Sequence, residues 1–207
     1  MDIADNGGDV RPRLPLAFAA LVPCALLATV ALAQAPTNAS PAKPAAAVDG
    51  LIVADFSARI TAYAELRRTL EDGLPGLVVT ANNNEIRRAE EALARRIRLA
   101  RERAKQGDIF TPAINAAFKQ LLMGVTKPGI CAAVLEDNPG NIPFRPNAPY
   151  PRNSSLSTVP PSVLGVLPTL PEDVQYRFLD RDLILYDTRA NMMLDRIPSA
   201  IRCTPIR

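Results

Sequence analysis

Histidine and tryptophan are absent from this 207-residue sequence, and cysteine occurs only three times. The absence of histidine excludes Ser-His-Asp and Cys-His catalysis, His-ligated zinc and an axial histidine on haem. General acid–base chemistry would depend on carboxylates, tyrosine, lysine or cysteine. We therefore expect neither a cofactor nor a metal site, and the sequence assigns no specific activity.

One long apolar run is present, from Leu14 to Ala33, and two arginines precede it. The run ends in the small-x-small pattern that signal peptidase recognises, so residues 1–35 are predicted to be a secretory signal peptide. Cleavage after Ala33 or Ala35 fits the pattern, and retention as a membrane anchor is the alternative. A periplasmic or secreted protein is expected, with no stable membrane span once the signal is cleaved.

Removal of this segment changes the charge and the cysteine content. It holds two basic and three acidic residues, which leaves 22 against 18, a net charge of +4. Cys131 and Cys203 remain, and exported compartments favour disulfides. The two cysteines either form one disulfide or stay as separate buried thiols. The loop-entropy model predicts that the disulfide would stabilise the folded protein by about 4 kcal/mol.

The mature sequence begins with a segment rich in proline and alanine, residues 36–49, which is expected to be a disordered linker. Residues 50–207 have the length of a single small domain. Its first part, residues 50–125, is predicted to be a helical layer. Its middle part, residues 126–173, is expected to be irregular because it is rich in proline.

Three amphipathic helices are predicted in the helical layer. The first carries an apolar stripe from Val53 to Leu70, which includes Tyr63. The second starts after Asn82 and is predicted to run to about Gln106. The third starts at the Thr-Pro pair 111–112, where threonine caps the helix and proline takes its first position.

The strap, residues 137–171, carries nine prolines in 35 positions. It is predicted to cross the helices without regular structure, except for a short helical turn near 162–167. A long loop inside a domain is often functional, so this strap is also a candidate binding surface.

Residues 174–207 are predicted to form a β-hairpin followed by a short terminal helix. Alternating apolar residues place Phe178 opposite Leu183 if the turn has two residues, while a four-residue loop is the alternative. The stretch 188–201 is interpreted as a helix with Asp187 as its N-cap. The expected fold is therefore α+β and mainly α.

A resemblance supports export. The block YRFLDRDLILYDTRANMMLDRIPSAI, residues 176–201, is similar to the C-terminal region of a group of uncharacterised exported bacterial proteins. Residues 156–173 and 110–122 resemble the same group. The resemblance implies a secreted or periplasmic location, and it supplies no information about activity.

The second helix holds the basic charge. Residues 81–106 have eight basic and four acidic side chains, an excess equal to the net charge of the mature chain. Arg88, Arg95 and Arg98 point most directly away from its apolar stripe. They could bind an anionic envelope component, such as lipid headgroups or lipopolysaccharide, because arginine grips phosphate and carboxylate in a bidentate manner. The alternative is a solvated face with pairs such as Glu91–Arg95. Nucleic acid is not expected, because aromatics do not interleave with the charges.

Acidic residues give two further hypotheses. Asp187, Asn191 and Asp195 would share one face of a helix and could hold a cation. We expect instead that Asp187 caps the helix and that Asp195 pairs with Arg196 or Arg177. The other acids match turn chemistry better than catalysis: Glu136, Asp137, Glu172, Asp173, Asp180 and Asp182.

Two functions remain open. The first is an exported, non-enzymatic protein that binds or scaffolds through its helical layer, with an anionic envelope component or another envelope protein as partner. The alternative is a histidine-independent hydrolase. That enzyme would need a cleft with two carboxylates about 5–10 Å apart.

Overall fold

The computed structural model describes residues 44–74, 82–140 and 142–203. The expected signal peptide and linker residues 36–43 lie outside them. The protein is α+β and mainly α. In chain order the described elements are α1 (Pro44–Asp72), α2 (Asn83–Ala100), α3 (Pro112–Val125), α4 (Pro128–Glu136), β1 (Ala148–Pro149), α5 (Pro161–Leu164), β2 (Val174–Leu179), β3 (Asp182–Asp187) and β4 (Met192–Ile197).

The three predicted helices are confirmed as α1, α2 and α3. Asn82 caps α2 by accepting the main-chain N–H of Asn84 at 3.0 Å, and Thr111 caps α3. α1 begins at Pro44, so the last six residues of the expected linker are helical. Proline suits a first helical position and alanine is the strongest helix former, which explains this earlier start.

α2 is shorter than predicted. It ends at Ala100, where Arg101 leaves helical geometry, and not near Gln106. The chain then turns through Gly107, whose φ of 94° is left-handed and suits glycine. Main-chain N–H groups of this loop bind a carboxylate of β4, which draws the loop away from a helical path.

α4 interrupts the segment that was expected to be irregular. Pro128 occupies its first turn, and Cys131 and Val134 are buried on one face three residues apart. This face holds a helix of only nine residues in place. α5 matches the short helical turn predicted near 162–167.

The sheet has the order β1-β4-β3-β2, and every neighbouring pair is antiparallel. The predicted hairpin is confirmed: Phe178 faces Leu183, and Asp180-Arg181 forms a two-residue turn. Asp180 has a φ of 51° there, a conformation that aspartate tolerates better than most residues.

The predicted terminal helix is wrong. β4 lies in that stretch and pairs with β3. Asp187 caps a tight turn, because it accepts the main-chain N–H groups of Arg189 and Ala190 at 2.8 and 2.9 Å. Asn191, with a φ of 46°, then turns the chain back along β3.

Both faces of the sheet are covered. The main core lies between the helices and one face, around the rings of Phe56, Phe110 and Phe118, whose centroids are 4.8–5.6 Å apart. A smaller cluster on the other face contains Tyr150 and Tyr186 and is packed against the strap. None of the helices in the described ranges is long and apolar enough to cross a bilayer.

Candidate functional site

The arginine face of α2 consists of Arg88, Arg95 and Arg98, all of them exposed. Within the part of the chain that the structure describes, these side chains make no hydrogen bond or ion pair, and the alternative pair Glu91–Arg95 is not formed. At about 1.5 Å per helical residue, the three side chains extend over about 15 Å. That length suits a surface with repeated anionic groups better than one small anion.

Other arginines near α2 serve the fold. Arg96 donates to the carbonyl oxygens of Leu70 and Gly73 at 2.8 and 2.7 Å, and so caps the end of α1. Arg101 donates to Asn147 at 2.9 Å and lies over the ring of Tyr63, 5.0 Å from its centroid. Burial lowers the pKa of Arg101. The basic segment therefore contains arginines that make structural contacts and arginines that are exposed to solvent.

Leu99 is an apolar neighbour of the arginine face. It is 75% exposed and directly follows Arg98. Glu91 is exposed between Arg88 and Arg95 and reduces the positive potential there. Two other large apolar side chains of α2, Leu93 and Ile97, are buried in the main core.

Asp187 is fully buried between α1 and the sheet. Tyr63 donates to it at 2.5 Å, two main-chain N–H groups of the following turn bind its other oxygen, and Nε of Arg67 lies 3.6 Å away. Burial raises the pKa of Asp187, while these hydrogen bonds and Arg67 act to lower it. Burial and the neighbouring Asp187 together raise the pKa of Tyr63 well above its usual range.

The surroundings of Asp187 extend to the surface as an ionic network. Arg67 also binds Asp173 at 3.0 Å, and Arg189 pairs with Glu71. Nε of Arg67 has no hydrogen-bond partner in the described ranges. The network holds α1 against the sheet, and Asp187 within it has no exposed surface.

Asp195 is the second fully buried acid. It accepts four main-chain N–H groups at 2.8–2.9 Å, from Gly107, Ile109, Phe110 and Arg196. The expected ion pair with an arginine side chain is wrong for Asp195, because it is the main chain of Arg196 that donates. The guanidinium of Arg196 binds Asp182 instead, at 3.0 Å.

The hypothetical cation site does not form. Without a helix at 188–201, Asp187 binds Tyr63, Asn191 binds Tyr186, and Asp195 binds the α2–α3 loop. Among the described residues, no group of three or more acidic, cysteine or histidine side chains is close enough to hold a metal.

Cys131 and Cys203 lie at disulfide distance, with their Cα atoms 5.5 Å apart. Both are buried in the main core. The pair links α4 to the segment that follows β4, as the first of the two sequence alternatives expects.

Comparison with known proteins adds no assignment. No protein family, curated protein or solved structure matches this chain.

The roles of Tyr63, Arg96 and Arg101 could not be predicted from the sequence. Tyr63 lies on the predicted apolar stripe, but its hydroxyl partner is 124 positions away. For the two arginines, the only available signal was that they lie nearer the apolar side of α2 than Arg88, Arg95 and Arg98 do.

Proposed function

We propose that this protein is exported and acts without catalysis, by binding an anionic component of the cell envelope through Arg88, Arg95 and Arg98. One observation carries the proposal: three exposed arginines on one side of a folded helix have no partner within the described part of the chain. Guanidinium groups left to solvent remain free to bind phosphate or carboxylate.

A lipid surface is the partner that this geometry favours. Three charges distributed over about 15 Å match repeated headgroups, and the exposed Leu99 can enter the boundary between headgroups and acyl chains. Each basic residue close to an anionic surface contributes about 1 kcal/mol.

Vesicle binding tests this proposal. The protein without residues 1–35 is mixed at low salt with vesicles that contain phosphatidylglycerol, and the bound fraction is measured by co-sedimentation. The variant Arg88→Glu/Arg95→Glu/Arg98→Glu is expected to bind at least about 100-fold more weakly, since it loses about 3 kcal/mol and adds repulsion.

The matched control changes net charge equally at other exposed arginines, in the variant Arg68→Glu/Arg145→Glu/Arg202→Glu. This control is expected to retain most of the binding. Equal losses in the two variants would show attraction by net charge alone and would contradict a defined site.

The alternative function, a hydrolase with paired carboxylates, has less support. Asp187 and Asp195 are fully buried and bound by several donors. Asp173 and Asp182 are each paired with an arginine. These acids serve folding contacts in the described structure.

A further inference from the structure

A groove of about 550 Å³ lies beside β2, which is an edge strand of the sheet. The buried side chains of Val174 and Tyr176 contribute to its lining. Its walls come from α5, from the segment after α5 and from β2 itself: Leu164, Leu167, Pro168, Leu170, Gln175 and Arg177. The lining is therefore mainly apolar, with a few polar groups, as is usual for binding sites.

The backbone of β2 alternates between groups that bond to β3 and groups that point away from it. Ser157 identifies the residues that point away, because its hydroxyl accepts the N–H of Phe178 and donates to the carbonyl of the same residue, both at 2.8 Å. Tyr176, two residues earlier in the strand, has the same orientation. Its N–H and C=O therefore also point away from β3.

Within the described ranges, these two groups of Tyr176 lack partners. No residue in the described ranges bonds to its main-chain N–H or C=O, although the neighbouring outward N–H of Val174 is bonded to Pro171 at 3.2 Å. The strap covers the edge of β2 at Phe178 through Ser157, but it then departs into α5. The groove lies between Tyr176 and α5, beyond the part of the edge that Ser157 covers.

We propose that this groove binds an extended peptide segment of a partner protein, which adds to the edge of β2 at Tyr176. An extended segment supplies the acceptor and the donor that Tyr176 lacks, and its alternate side chains enter the apolar walls. A hydrocarbon chain would fill the walls but leave both backbone groups unpaired.

Charge limits the choice of segment. Arg177 is the only charged side chain in the lining, and no acidic side chain in the described ranges pairs with it. Its guanidinium donates to the main-chain oxygen of Ser157 at 3.4 Å and to the side-chain oxygen of Gln175, both neutral acceptors. The groove therefore favours an apolar segment that carries an acidic side chain or ends in a carboxylate. This proposal is independent of the arginine face, since none of Arg88, Arg95 and Arg98 lines the groove.

The test combines peptide selection with amide exchange. Seven-residue peptides are selected from a random phage-displayed library against the mature protein, and the enriched peptides are synthesised. In the free protein, the Tyr176 amide is expected to exchange at least about 10-fold faster than that of Arg177, which bonds to β3. Bound peptide is expected to slow exchange at Tyr176.

Two matched variants locate the site. Leu164→Glu changes a groove residue that is 46% exposed and is expected to weaken peptide binding at least 10-fold. Leu135→Glu changes a residue on α4 that is 41% exposed and is expected to leave it unchanged.

Several results would overturn the proposal. One is failure to enrich any peptide, and another is equal peptide binding by the two leucine variants. A third is that peptides N-methylated at alternate positions bind as tightly as unmodified peptides. A fourth is a Tyr176 amide that is already protected from exchange in the free protein. The last result would mean that another part of the chain occupies the edge. Displacement of the peptide by dodecanoate, together with equal binding of N-methylated peptides, would assign the groove to hydrocarbon chains.

Discussion

The hydroxyl of Tyr63 donates a hydrogen bond to the carboxylate of Asp187 at 2.5 Å. Removal of the hydroxyl leaves a buried carboxylate with one donor fewer, and a hydrogen bond to a charged group contributes about 1.5–3 kcal/mol. Tyr63→Phe is therefore expected to lower the free energy of unfolding by about 2 kcal/mol at neutral pH. Urea denaturation measures this change.

The pH dependence of this loss has a defined sign. Burial raises the pKa of Asp187, so the folded protein retains a proton that the unfolded chain releases, and stability falls as pH rises between the two pKa values. Tyr63→Phe removes a contact that lowers this pKa, so its cost is expected to be larger at about pH 8 than at about pH 4. Tyr186→Phe is the control, since that hydroxyl donates to the neutral Asn191. Equal, pH-independent losses in both variants would contradict a charged partner for Tyr63.

Whether the role of a residue could be predicted depends on how far along the chain its contacts lie. The exposure of Arg88, Arg95 and Arg98 could be predicted, because it follows from helical periodicity within a few turns. The partner of Tyr63 could not, because a tyrosine fits an apolar stripe and the sequence does not show that its hydroxyl meets a distant aspartate.

At the scale of elements, Asp195 holds the loop between α2 and α3 against β4. Asp195→Ala removes one acceptor from three N–H groups of that loop, at Gly107, Ile109 and Phe110. Buried donors left unpaired are costly, so we expect a loss of about 3–5 kcal/mol in the free energy of unfolding. Thermal or urea denaturation measures it.

Asp108→Ala is the matched control for this variant. Asp108 is exposed in the same loop and accepts a single main-chain N–H, from Lys105 at 2.7 Å. Its replacement is expected to cost about 1 kcal/mol. Similar losses for the two variants would show that the buried acceptor has no special role.

Local signals account for the elements that sequence analysis predicted. The starts of α2 and α3 follow from capping residues, and the hairpin follows from two-residue alternation. β4 could not be predicted because Asp187 can cap either a helix or a tight turn. The pairing of residues 192–197 with β3 determines that a tight turn forms. The early end of α2 could not be predicted either, because the loop that follows α2 is bound by Asp195, which lies far along the chain.

At the scale of the whole molecule, Cys131 and Cys203 join α4 to the end of the sheet across 72 positions. The double variant Cys131→Ser/Cys203→Ser is expected to lose about 4 kcal/mol of stability, mainly through freer unfolded chains. Intact mass after alkylation, with and without reductant, is expected to show no free thiol at these two positions in protein isolated from its native host. Alkylated cysteines without reductant would contradict the disulfide.

The arginine face and the groove differ in how far each could be predicted from the sequence. The arginine face belongs to one helix, so its residues could be identified before the fold was known. The groove depends on β2 being an edge strand and on α5 facing it, which strand order determines and local sequence does not. The strap was a candidate binding surface for its length alone, and α5 within it forms one wall of the groove.

The salt dependence of vesicle binding tests the central claim most directly. If Arg88, Arg95 and Arg98 bind anionic headgroups, wild-type protein binds phosphatidylglycerol vesicles at about 0.01 M salt and is released near 1 M, because the screening length falls from about 30 Å to about 3 Å. Vesicles of phosphatidylcholine alone are expected to bind little. Absence of wild-type binding at low salt, or binding unaffected by replacing the three arginines with glutamate, would contradict the account.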